Sequence, residues 1–226
     1  MIKLLSIADI ISLTNAIFGF IAIIMIFLDK LDIAFSFILL ALIADGLDGI
    51  VARKTRKGEL GEYMEAMADM ISLGVAPALF VYNIYHSYVI DCINYHVILI
   101  IALIIYLSLG IIRLASFHII KNDRYFVGLP ASASTIFILV LSFLKIDFIY
   151  IIPFIIFISI VMVSPIKFPK INLKINAVAA ILLILTIIFN GMYENIMSIT
   201  LFVAIALYAI IGPIYLNRQL SKVKDS

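Results

Sequence analysis

Four carboxylates stand at fixed spacings in an otherwise apolar chain. Asp45 and Asp48 lie near the end of one hydrophobic segment, Glu65 and Asp69 near the start of the next. An α-helix advances about 1.5 Å and turns about 100° per residue. Asp45, Gly49 and Ala52 therefore share one stripe at i, i+4 and i+7, with Asp48 on its adjoining edge, and Gly61, Glu65 and Asp69 form a second stripe at i, i+4 and i+8. Asp45 precedes Arg53 by eight residues and Asp69 follows Gly61 by eight, so in an antiparallel hairpin both sit about 12 Å inside the helix ends. Asp48 and Glu65 make a second level nearer the surface. Two tiers of acid thus face each other across one hairpin.

Carboxylates crowded into a region of low dielectric repel one another and are costly to desolvate, so a cation is expected among them. A donor set of oxygens alone, with no His or Cys in the hairpin, suits Mg²⁺, Mn²⁺ or Ca²⁺ better than zinc or copper. Two tiers suggest two ions, and a two-metal site can clamp the attacking and leaving oxygens of a phosphoryl displacement. Solvated charge at a helix end is the plainer reading for any one pair, but four matched positions argue against it. Glu59 reads as a solvated loop residue and Glu62 as a surface charge. Gly49 and Ala52 either let helices approach closely or leave a ligand room beside the metal. Arg53, on the border of the acidic face, is expected to touch phosphate.

The elements that must position these groups are membrane helices. Of 226 residues, 65% are hydrophobic and 13% charged, with a mean hydropathy of +1.23, far from the balance of a soluble domain. Apolar runs of membrane-spanning length are found near Ile10–Leu28, Leu31–Val51, Tyr63–Tyr85, Val97–Phe117, Leu129–Leu144, Phe148–Val163, Leu173–Asn190 and Ile196–Leu216. The expected fold is all-α, a polytopic bundle of about eight transmembrane helices. It forms one integral membrane domain over residues 1–226. Residues 1–9 are expected as an interfacial helix rather than a signal peptide, because Asp9 interrupts the run and no small-residue cleavage site follows. Lys and Arg near segment ends are retained on the cytoplasmic side; 14 of the 16 basic residues share one side on this threading, with Lys30 and Lys145 opposite. Both termini and the acidic site are therefore expected at the cytoplasmic face of the cell membrane. The pI of about 8.6 reflects this asymmetry and nearby anionic lipid, and nothing points to nucleic acid. Cys92, the single cysteine, is an inert packing residue in an outer loop.

Read as D-x-x-D-G-x-x-A-R, seven residues, then G-x-x-x-E-x-x-x-D, the stretch from Asp45 to Asp69 resembles the signature of the CDP-alcohol phosphotransferase family. The family pattern has Asp where this chain has Glu65. The resemblance implies a six-helix catalytic core, placed here at residues 10–163, with two further membrane helices and a basic tail over 164–226, and it implies a homodimer. It also implies transfer of a phosphatidyl-type group from a CDP-lipid, CDP-diacylglycerol or CDP-archaeol, to another hydroxyl with release of CMP. On that analogy Asp45, Asp48, Glu65 and Asp69 hold metals, Asp69 is the base, and Asp48, Gly49, Ala52, Arg53 and Gly61 line the CDP site. "SLTNAIFGFIAI", "RLASFHI", "FVGLPASAS" and "VMVSPIKFPK" look like the membrane-embedded branch of the family that acts on L-serine, although that branch often carries Arg and Asn where this chain has Ser116 and His118.

A serine hydroxyl is a weak nucleophile and needs a base and a polarised phosphorus. The carboxylate of the zwitterion needs cationic partners, and Arg113, Lys121, Arg124 and Lys167 lie on the correct side. Arg113 ranks first, because an arginine about four residues inside a membrane helix ordinarily has a partner. Two alternatives remain at this stage. One is the same chemistry with glycerol phosphate or inositol phosphate as acceptor; the other is a divalent-cation transporter, since buried carboxylates also mark ion pathways.

Overall fold

The computed structural model describes residues 5–54, 60–90, 92–117, 119–120, 125–170, 173–192 and 195–224, with the side chains of residues 50, 52–54, 173–174 and 220–224 outside the description. Helix α1 spans Ile7–Phe27 and α2 spans Leu31–Lys54; α3 (Gly61–Asp69), a π-helical turn (Met70–Val75) and α4 (Ala76–Val89) run on as one rod. Then come α5 (Ile93–Phe117), α6 (Ala131–Phe143), α7 (Phe148–Met162), α8 (Leu173–Ile188) and α9 (Ile196–Lys224). The described residues therefore form an all-α bundle of eight helical rods, matching the apolar segments counted in the sequence. Four rods, Ile7–Phe27, Gly61–Val89, Ile93–Phe117 and Ile196–Gln219, are long and apolar enough to cross a membrane.

Asp9 has a local use. Ser6 and Asp9 form a capping box, with the Ser6 N–H donating to Asp9 Oδ2 at 2.7 Å and the Asp9 N–H to Ser6 Oγ at 3.3 Å, which satisfies two end donors of α1. Residues 7–9, expected within a separate interfacial helix, form the first turn of α1. Ala8, Ser12, Asn15, Gly19, Ala22 and Ile26 face inward, while Ile10, Leu13, Ile17, Phe20 and Phe27 are exposed. The small and polar side chains are inside and the large apolar ones outside, the reverse of a soluble helix and the arrangement that hydrocarbon selects.

Helix α6 is the axis of the fold, with Ala133 to Val140 buried throughout. It is apolar all round because it has neighbours all round: α4, α7 and α9 all pack on it. Its N-cap is Pro130, and the turn to α7 passes through Lys145, whose φ is 53°.

A π-turn directly after Asp69 is not apparent in the sequence. Pro77, near the start of α4, has no N–H to give the carbonyl of Leu73 four residues before it. That carbonyl accepts instead from the Tyr106 hydroxyl of α5 at 2.7 Å and the Thr135 hydroxyl of α6 at 2.8 Å. The proline gap thus becomes a tie between three segments at the depth where the acidic rod enters the core.

A second departure from the expectation is a short antiparallel ribbon, β1 (Tyr125–Val127) with β2 (Lys167–Pro169), pairing Phe126 with Phe168. Gly128 follows β1 with φ +79°, its N–H donating to the Ile166 carbonyl at 2.7 Å, and a Cβ there would run into the Met162 carbonyl. Only glycine meets both demands. The ribbon packs on α9 through Phe168 and Tyr208, and the Tyr208 hydroxyl donates to the Pro169 carbonyl at 3.0 Å.

Candidate active site

Helices α2 and α3 bring the four acids together. Asp48 and Asp69 are buried, Asp45 and Glu65 half-buried. Asp45 and Asp69 approach within hydrogen-bonding range, and Asp48 and Glu65 both act electrostatically on that pair. Two carboxylates sustain such an approach only with a proton or a cation between them. The level pairing of Asp45 with Asp69, obtained by counting residues, is the pairing seen here.

A third helix supports them. From α1, the Ser12 hydroxyl donates to Asp48 Oδ2 at 2.7 Å and Asn15 Nδ2 donates to Asp69 Oδ1 at 2.8 Å. Such hydrogen bonds fix the orientation of carboxylates that are to act as ligands or bases. Sequence reasoning gave neither residue a role. The signal was present, since Ser12 and Asn15 stand three apart on one face of an apolar helix. Asn15 is fully buried and its Oδ1 has no partner. Gly19, one turn on, lets α1 come close enough: a Cβ there would lie 2.6 Å from Ser72 Cα and 2.8 Å from Ser72 Cβ.

A Cβ built at Gly49 meets nothing within 4 Å, so close helix packing does not require this glycine. Gly61 is buried at the start of α3, and Glu62 is exposed, as a surface charge would be. The side chains of Ala52 and Arg53 lie outside the described residues, as do Lys121, Arg124 and the intervening loop residue Glu59. Among the described residues no group of three or more His, Cys, Asp or Glu side chains is placed to hold a metal ion. The oxygen-only donor set of Asp45, Asp48, Glu65 and Asp69 nevertheless suits hard divalent ions, whose shells would be completed by substrate oxygens and water.

A basic cleft lies at the same depth. The Tyr106–Leu73 bond sets the register of α5 against the acidic rod, and α5 runs antiparallel to it, so Arg113, seven residues beyond Tyr106, comes about level with Ala66, between Glu65 and Asp69. Arg113 is only 7% exposed; its Nε donates to the Leu129 carbonyl at 3.3 Å and its guanidinium stands 5.5 Å from the Phe117 ring centroid. The cleft is lined by Arg113, Phe117, Tyr125, Phe126 and Lys170. Lys170, counted from sequence only among the orientation residues, belongs to it, with Nζ 5.4 Å from the Phe126 centroid. Lys167, expected as an acceptor ligand, rests over the Tyr125 ring at 4.8 Å and is not among the lining residues. Ser134, in the "FVGLPASAS" stretch, donates back to the Pro130 carbonyl of its own helix.

The two imidazoles among the described residues are remote. His86 and His96 cluster with Tyr82 at the far end of the rod, the Tyr82 hydroxyl 2.9 Å from His96 Nε2. His86 follows Asp69 by seventeen residues, about 26 Å along the helix.

Fold and site together define a polytopic membrane protein with a buried acidic hairpin braced by its first helix and flanked by a basic cleft. Comparison with known sequences gives the family. The model of the CDP-alcohol phosphatidyltransferase family matches residues 5–210. The chain is 36% identical over 176 residues to a CDP-diacylglycerol–serine O-phosphatidyltransferase of Methanocaldococcus jannaschii, covering 76% of this chain and 78% of the relative. It is 31% identical to an archaetidylserine synthase of Methanothermobacter thermautotrophicus, covering 74% and 71%, and 31% identical to a CDP-diacylglycerol–serine O-phosphatidyltransferase of Helicobacter pylori, covering 76% and 74%. The chain belongs to the CDP-alcohol phosphatidyltransferase family and is a membrane-integral transferase of phospholipid biosynthesis. The transporter reading is thereby set aside.

Proposed function

We propose that the chain transfers the phosphatidyl-type group of a CDP-activated lipid to the hydroxyl of L-serine, releasing CMP. The observation that carries the reading is the meeting of Asp45 with Asp69 while Asp48 and Glu65 act on that pair, and the serine transferases among its relatives support the acceptor. The Oγ–P bond to serine forms as the P–O bond to CMP breaks, and the proton of the hydroxyl passes to Asp69. Asp45, Asp48, Glu65 and Asp69 would hold two divalent ions, Mg²⁺ or Mn²⁺, which when bound neutralise the pyrophosphate and the departing CMP. Asp48, Gly49, Ala52, Arg53 and Gly61 border the nucleotide. The site and both termini face the cytoplasm, on the strength of the Lys and Arg distribution, and the enzyme works in the bilayer as a homodimer, as the family resemblance implies.

Purified enzyme in detergent, given CDP-diacylglycerol or CDP-archaeol with radiolabelled serine, glycerol phosphate or inositol phosphate, should label lipid from serine and lose activity with EDTA. Label from a phosphorylated acceptor alone would overturn the assignment. No Ser, Cys or His of the hairpin is placed to form a covalent intermediate, so a chiral thiophosphate substrate should react with inversion; retention would contradict direct displacement.

The cleft at Arg113 supplies the cation that the serine carboxylate requires. Arg113→Ala is expected to raise the KM for serine about tenfold to a hundredfold, the worth of one charge-assisted hydrogen bond, with the KM for CDP-lipid little changed. An unchanged serine KM would remove Arg113 from the acceptor site.

A further inference from the structure

Asn15 is the one fully buried side chain at the acidic site with half of its hydrogen-bonding capacity unused. Its Nδ2 is committed to Asp69 Oδ1 at 2.8 Å, while its Oδ1 is sealed from solvent and has no partner. Buried amide oxygens are almost always paired. An amide oxygen can only accept, so one held beside these acids awaits a group that brings its own donors or positive charge.

We propose that Asn15 Oδ1 receives the ammonium group of the acceptor amino acid; the inference rests on serine being the acceptor. The amide oxygen is about 2.2 Å from the amide nitrogen that holds Asp69, by the covalent dimensions of the group, so it lies within about 5 Å of the carboxylate oxygen that Asn15 orients. In serine the ammonium and the hydroxyl stand on adjacent carbons, a few ångströms apart. A hydroxyl delivered to Asp69 therefore places the ammonium within reach of Asn15. Arg113, about level with the same residues on α5, takes the carboxylate from another side. Three groups on three helices, Asp69 on α3, Asn15 on α1 and Arg113 on α5, thus read the three polar substituents of one small molecule. Three fixed contacts distinguish mirror images, so the arrangement also discriminates between L- and D-serine.

Asn15 acts here as an acceptor-binding residue, with a second effect through its hold on Asp69. The two are separable by substitution. Asn15→Leu keeps the size and removes both the oxygen and the donor. Asn15→Asp keeps an oxygen toward the ammonium, removes the donor to Asp69 and adds repulsion.

The test compares CMP release with L-serine, D-serine and 3-hydroxypropionate, which lacks the ammonium, in the native enzyme and both variants, with Mn²⁺ binding measured in parallel by electron paramagnetic resonance. Native enzyme should prefer L-serine over 3-hydroxypropionate and over D-serine in kcat/KM by about a hundredfold or more. In Asn15→Leu both preferences should fall at least tenfold, beyond whatever the lost hold on Asp69 does to kcat and Mn²⁺ affinity, with a thermal midpoint within a few degrees of native to show that the variant is folded. In Asn15→Asp the preference for the ammonium should persist while kcat falls. If the preferences are unchanged in Asn15→Leu, the inference is wrong although the proposed function stands. If Mn²⁺ binding weakens tenfold and the preferences hold, Asn15 serves the metal site rather than the acceptor and the inference is wrong. If the native enzyme releases no CMP with serine, the proposed function fails, and the inference with it.

Discussion

Asp69→Asn will lower CMP release by about three orders of magnitude in kcat, with a smaller change in the KM for serine. The substitution keeps the size and the oxygen that accepts from Asn15, so the brace from α1 survives. It removes the negative charge and the proton acceptor together. General-base removal alone costs about 10²–10⁴-fold, and loss of one of the anionic ligands adds to it. Asp45→Asn at the same level should lose activity chiefly through a raised metal requirement, because Asp45 meets Asp69 directly but has no hydrogen bond of its own from α1. Glu62→Gln, on the exposed side of α3, should retain native rates. Steady-state rates across a Mn²⁺ titration check all three. Full activity in Asp69→Asn would remove that residue from the chemistry.

Gly19→Ala should be nearly as damaging, although it alters no polar atom. The added Cβ would lie 2.6 Å from a backbone atom of Ser72, closer than carbon atoms pack, and Ser72 sits in the π-turn held from behind by Tyr106 and Thr135 through Leu73. The turn cannot yield cheaply, so α1 must move away from the acidic rod. Ser12 and Asn15 move with it and lose Asp48 and Asp69. The expected outcome is a fall in kcat of about a hundredfold and a drop in thermal midpoint of several degrees, since overpacking of a filled contact costs about 1–3 kcal/mol. Rates and a thermal-shift curve on the same preparation would show it. Unchanged values would mean that α1 does not brace the acids.

The acidic hairpin was readable because its information is local. The helical repeat converts the spacing of Asp45, Asp48, Glu65 and Asp69 into depth and face, and the chain reverses once between them. The eight apolar runs were readable because hydrocarbon demands length and composition that leave few alternatives. What was not readable depends on which helices become neighbours. Ser12 and Asn15 are separated from their carboxylates by 36 and 54 residues, and only the close passage of α1 at Gly19 gives them a role. The π-turn rests on a proline gap filled from α5 and α6, again at long range. The β1–β2 ribbon draws Lys167 onto Tyr125 and Lys170 onto Phe126. It sets Lys170 in the lining of the cleft and Lys167 over Tyr125 at its edge. Composition marks both lysines as cytoplasmic but cannot say which one lines a cleft.

We propose that α2 and α3 hold divalent cations between their acids where a CDP-lipid docks. This is tested most directly by anomalous scattering from crystals of the enzyme grown with Mn²⁺ and CDP-lipid. Manganese peaks are expected between Asp45, Asp48, Glu65 and Asp69, in contact with the pyrophosphate oxygens. Bound nucleotide with no manganese at those four side chains, or with its pyrophosphate seated elsewhere, would contradict it.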